Sequence, residues 1–171
     1  MRARSALDAA IAGNSWQEML GETIVGKYLD EYVVGEEYVS PSRTITETDV
    51  VMFAAMTGDY NEIHTSVEFT KANNFGQRVV HGLLCLSISH GLLFRLGLLE
   101  STAIAILAVD DWRFKAPVFI GDTIVAKFKV LETIPSSKDP SRGVLKLLTQ
   151  IIKQDGTIAQ EGVKVLMMKK H

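Results

Sequence analysis

Cysteine is all but missing from this 171-residue chain: Cys85 stands alone, so no internal disulfide can form and stability must come from a packed core. A single thiol also suits a reducing compartment. Charge of either sign is not in excess. Eighteen Lys and Arg against 20 Asp and Glu leave a formal net charge of −2, which excludes the basic surplus of a general nucleic-acid binder. There is no internal repeat, no low-complexity tract and no apolar leader of the secretory kind. Met1 to Leu7, with Arg2 and Arg4, has a faint organelle-targeting flavour, but Asp8 and the lack of further arginines nearby count against it. The chain reads as cytoplasmic. One apolar run, Val79 to Leu98, matches the length of a membrane span. Ser87, Ser89, His90, Arg95 and three glycines interrupt it, so it reads as a buried helix with no membrane partner.

What is present suffices for one compact domain. Residues 1–27 read as an N-terminal helical extension, in which Ser15-Trp16-Gln17-Glu18 fits a capping box, and the domain proper occupies 28–171. Tyr38 to Ile45 is extended, with Pro41 bending it or confining it to an edge. Thr46 and Asp49 form a second capping box, Ile45 and Val50 a hydrophobic staple, and Gly58 closes the helix they begin. From His64 to Gly76 the pattern is irregular. Gly82 to Leu96 is apolar nearly all round, which predicts a helix covered on most sides. The remainder alternates as strands over Ala103–Val118, Thr123–Ile134, Val144–Gln154 and Thr157–Met168, with Asp155-Gly156 as a hairpin turn. Strands curling around one buried helix make an α+β fold.

The most informative segment is Thr57-Gly58-Asp59-Tyr60-Asn61-Glu62-Ile63-His64. It places a carboxylate and an imidazole five positions apart in a turn-rich stretch behind a helix, where acid–base groups are both held and accessible. His81-Gly82 follows, opening the buried helix. A water-activating pair facing an oxyanion site is the chemistry these residues can perform.

Taken in order, Val34-Gly35-Glu36, Thr44 to Val50, Gly58 to His64, Val80-His81-Gly82 and Phe114 to Asp122 resemble the MaoC-like dehydratase family, the (R)-specific enoyl-CoA hydratases. The resemblance covers roughly Tyr28 to Lys169. It implies the hotdog fold, a curved antiparallel sheet wrapped around a long central helix, and a homodimer or larger homo-oligomer joined edge to edge. It also implies an acyl thioester substrate carried on coenzyme A or an acyl carrier protein, with Asp59 and His64 as catalytic dyad. Two positions depart from the pattern. Glu62-Ile63 stands where members often have Pro-Leu, and His90 where some place a serine.

Hydration of a 2-enoyl thioester requires a base for water, a proton for C2 and a donor for the thioester oxygen. Asp59 and His64 share the first two tasks, and the Gly82 N–H, unpaired at a helix start, fits the third. Asn61 is expected to tie down the loop, and His81, Ser87 and His90 to border the substrate. Each of these has a plainer reading: His81 as a structural histidine, Ser87 with His90 as a satisfied polar pair inside the core. Leu83, Leu86, Phe94 and Trp112 read as core, some of them lining the acyl pocket where there is one, and Lys71, Arg78 and Arg113 as candidates for phosphate contacts. No cofactor is needed beyond coenzyme A within the substrate. His64, His81 and His90 show no metal-ligand spacing. A thioesterase on the same fold and a non-catalytic acyl-CoA-binding module are the competing functions.

Overall fold

The computed structural model describes residues 25–171, so the expected N-terminal helix falls outside the described residues. Strand alternation is carried through most clearly in β4 (Thr123–Pro135). Ile124, Ala126, Phe128 and Val130 are fully buried on one face, while Lys127 and Lys129 reach outward to Glu37. β4 pairs antiparallel with β5 (Arg142–Lys153), and β5 with β6 (Ile158–Lys169) through the Asp155-Gly156 turn, where Gly156 takes φ 86°. β3 (Ala103–Phe114) pairs with β6 and forms one edge; β1 (Glu37–Val39) and β2 (Arg43–Thr44) both pair with β4 on the other side.

The extended segment expected over Tyr38–Ile45 is thus two short strands. Pro41 cannot donate to a ladder, and the residue before it, Ser40, pairs twice with Ala126: its N–H donates to the Ala126 carbonyl and its hydroxyl accepts the Ala126 N–H, each at 2.9 Å. Helix α1 (Glu47–Thr57) starts at the capping box of Thr46 and Asp49 and ends at Gly58 in the left-handed region, φ 78°. The stretch read as irregular contains two short helices, α2 (Glu62–Thr65) and α3 (Val67–Lys71). Asn61 and Ser66 cap them, and neither is long enough to show a helical period in sequence.

Helix α4 (Gly82–Phe94) lies against the sheet and buries Leu84, Cys85, Ile88, Leu92 and Leu93 over Phe128, Leu145 and Leu147. This is the α+β hotdog arrangement, central helix against antiparallel sheet. The helix is not covered all round. Leu83 is 58% exposed and Phe94 50%, with Ser87 and Gly91 on the same open stripe. These two apolar side chains, read from sequence as core, face outward in the single chain. Beyond them β3 exposes Ile104, Ile106 and Leu107 along an edge interrupted by bulges. Among the described residues no helix is long and apolar enough to cross a membrane.

Candidate active site

The loop after α1 and the start of α4 are brought together by backbone pairing. Val79 N–H donates to the Ile63 carbonyl at 3.0 Å, and Val80 N–H to that of Val118 at 2.8 Å. Asn61 caps α2 by accepting the Ile63 N–H at 3.1 Å, which sets His64 one turn later on the inner side. His64 is buried, and its Nδ1 lies 2.6 Å from the Val79 carbonyl oxygen. A carbonyl can only accept, so Nδ1 carries a hydrogen and Nε2 is the nitrogen left to exchange a proton.

His81, the residue before α4, is 2% exposed and donates Nε2–H to the Asp59 carbonyl at 3.0 Å. Its ring stacks on His64 with centroids 3.8 Å apart and packs on Phe53 at 5.0 Å. Burial lowers its pKa, the Asp59 carbonyl works the other way, and the His64 charge lowers it again. A neutral His81 leaves Nδ1 bare, and among the described residues that buried atom has no partner. The Asp59 carboxylate is exposed and bends back to accept the Asn61 N–H at 3.3 Å. Donor atoms of Asp59, His64 and His81 all fall within 4.8 Å of one another. The fold therefore makes a cluster that linear spacing does not show. Two of its ring nitrogens already face backbone carbonyls, and the group that remains turned to solvent is the Asp59 carboxylate.

His64 and Gly82 share the wall of a cavity of about 480 Å³, with Ile63, Val80, Leu83 and Phe114. Gly82 is the first residue of α4, so its N–H has no intrahelical acceptor. Glycine there leaves room for a neighbour in the protein itself: a Cβ would lie 2.6 Å from the Phe114 ring, which would have to shift. The cavity is large enough for an acyl group and part of a carrier arm.

Asn61 ties down the loop through its cap on α2. Other expected residues are arranged differently. Ser87 is exposed and donates to the Leu83 carbonyl at 2.9 Å, and His90 Nδ1 is buried with no partner among the described residues, so the two form no polar pair. Neither lines the cavity. Burial and the Lys164 charge lower the His90 pKa. Lys71 is paired with Glu68 and Arg78 with Glu47. Two residues escaped the sequence reading. Gln160 lines the cavity with its amide bonded to both Trp112 and Gly82. Lys164 is fully buried, with Nζ 2.7 Å from Ser89 Oγ, and burial pushes its pKa down to about 7. Both occupy inward positions of an apolar strand, and that misplaced polarity was the available signal.

The model of the MaoC like domain matches residues 31–149. Protein MaoC of Klebsiella aerogenes is 38% identical over 98 residues, which are 57% of this chain and 29% of that protein, so the chain spans less than a third of that relative's length. The (R)-specific enoyl-CoA hydratase of Rhodospirillum rubrum is 29% identical over 70% of this chain and 81% of its own. Among solved structures, the monoamine oxidase regulatory protein of Archaeoglobus fulgidus superposes with a TM-score of 0.79 at 34% identity, covering 85% of this chain and 96% of that one.

Proposed function

Because this chain belongs to the MaoC-like domain family, we propose that it is a hydratase that reversibly adds water to a trans-2-enoyl thioester, giving a (3R)-3-hydroxyacyl thioester. One observation carries the reading. The Asp59 carboxylate and the His64 ring approach within 4.8 Å, and His64 shares a cavity wall with the unpaired N–H of Gly82.

In this reading the thioester carbonyl oxygen accepts from Gly82 N–H, at the positive end of α4. A water held between Asp59 and His64 stands over C3. His64 Nε2 removes one proton as the oxygen–C3 bond forms, and the C2=C3 electron pair moves toward the carbonyl as an enolate. The proton then passes to C2, the enolate collapses, and the dyad is restored. Asp59 aligns the water and offsets the positive charge on His64 while it holds the proton. Acid–base help of this kind contributes about 10²–10⁴-fold. The substrate is carried on coenzyme A or on an acyl carrier protein. The open stripe of α4 and the exposed edge of β3 support a working unit of two copies, which would cover Leu83 and Phe94.

The test is spectroscopic: purified protein mixed with trans-2-enoyl-CoAs of several chain lengths should remove the conjugated-thioester absorbance without releasing free thiol. The hydroxyacyl product should have the 3R configuration on chiral separation. Thiol release with no hydroxyacyl product would instead mark a thioesterase.

A further inference from the structure

Gln160 is 3% exposed in the cavity wall, and chemistry fixes which way its amide faces. The Trp112 indole nitrogen, able only to donate, lies 3.0 Å from Oε1; the Gly82 carbonyl, able only to accept, lies 3.1 Å from Nε2. Both contacts select the same orientation. An amide nitrogen carries two hydrogens, so one N–H remains, and among the described residues it has no acceptor. The wall around it is largely apolar, with Val80, Leu83, Phe114 and Val118. Farther along β6, Lys164 is also turned inward. It bonds to Ser89 Oγ, and among the described residues no carboxylate pairs with it. The buried side of this strand thus holds a spare donor and, deeper in, an amine that no carboxylate pairs with among the described residues, two features that suit an oxygen-bearing ligand.

We propose that the cavity takes a short acyl group whose distal end bears an oxygen acceptor, that Gln160 is the residue selecting it, and that Lys164 biases the choice toward a carboxylate. The proposal rests on the hydratase reading for the position of the thioester at Gly82. An alkyl end pressed against Gln160 would strand its N–H, and a buried donor left unpaired costs on the order of tenfold or more in affinity. An oxygen there takes the hydrogen. Gln160 is one hydrogen bond from the Gly82 peptide, so both ends of the acyl group are gripped at the first turn of α4, which is why the group must be short. Lys164 acts at a distance. Trp112 touches both residues, bonding Gln160 through Nε1 while its ring centroid lies 6.0 Å from Nζ.

The experiment is titration calorimetry with three saturated four-carbon acyl-CoAs: a plain alkyl chain, its ω-carboxylate counterpart, and the methyl ester of that carboxylate. The ω-carboxylate should bind at least about tenfold more tightly than the alkyl chain, with the ester between them. Gln160→Leu should collapse both preferences, because its side chain strands no donor. Lys164→Met should reduce only the preference for carboxylate over ester. Equal binding of all three by the unmodified protein, or a preference for the alkyl chain, overturns the proposal. So does a Gln160→Leu protein that weakens all three ligands alike, for then Gln160 only props Gly82. Should Gln160→Leu fail to fold, the ranking by the unmodified protein and by Lys164→Met still decides. These ligands undergo no hydration, so the ranking is read independently of turnover. A protein that ranks them as expected yet hydrates no enoyl thioester keeps this inference and loses the hydratase reading; one that hydrates without the ranking does the reverse.

Discussion

The imidazoles of His64 and His81 stack with centroids 3.8 Å apart and planes 28° from parallel. Each points a nitrogen at a backbone carbonyl, His64 at Val79 and His81 at Asp59. His81 therefore supports both members of the candidate dyad, the ring of one and the peptide of the other. It is a positioning residue rather than a reacting one.

His81→Phe keeps a ring against His64 and deletes the donor to Asp59. Turnover should fall about 10- to 100-fold, chiefly in kcat with KM little changed, as expected when a reacting group is misplaced. His81→Asn, which can still donate, should recover part of the loss. Steady-state kinetics on an enoyl-CoA measures both.

The same residue predicts an acid limb in stability. Burial, and then the His64 charge, hold the His81 pKa below the ordinary histidine value against the opposing pull of the Asp59 carbonyl. A depressed folded-state pKa means that the unfolded chain binds the proton first. Stability from this source is complete above the ordinary histidine range and is lost as pH falls through the depressed value. His90 shifts in the same direction. His81→Phe should remove part of the slope of Tm against pH below about pH 6.5, the ordinary histidine value, and leave the part due to His90.

Lys164 predicts a second window, at higher pH. Burial brings its pKa down to about 7 from 10.5. Below the folded value the ammonium must stay charged inside the core, so stability present above the unfolded value declines as pH falls from about 10 toward 7. Lys164→Met removes that cost and keeps the volume. Denaturant titrations should show the mutant gaining on the parent as pH falls across this interval, with a nearly flat profile of its own.

Gly82→Ala introduces a Cβ 2.6 Å from the Phe114 ring. The ring is 57% exposed and can swing aside, so the stability loss should sit near the low end of overpacking, about 1 kcal/mol. The displaced ring narrows the cavity that Gly82 and Phe114 both line. KM should rise more than kcat falls, and Gly82→Ala combined with Phe114→Ala should restore stability first.

Much of this was legible in the residues. The Thr46 and Asp49 box, the Gly58 stop, the alternation around Phe128 and the Asp155-Gly156 turn each rest on interactions within a few positions, and each stands in the structure. The meeting of His64 with Asp59 on one side and Gly82 on the other depends on Val79 pairing with Ile63 and Val80 with Val118. No periodicity reveals such long-range pairings; the residue types suggested an acid–base pair facing a helix start, and the resemblance implied the same. The exposed stripe of Leu83 and Phe94 was misread because apolarity reports that a surface will be covered, not by what. Ser87 and His90 were expected to border the substrate; the cavity wall instead includes Gln160, contributed by the last strand.

The most direct measurement compares trans-2-enoyl-CoA hydration by the unmodified protein with that by Asp59→Asn and by His64→Gln. Both substitutions preserve shape, and Asp59 lies at the surface, so folding should survive in each case. The account predicts a fall of about 10²–10⁴-fold in kcat for either variant, with acyl-CoA binding retained. Unimpaired turnover in both would contradict it.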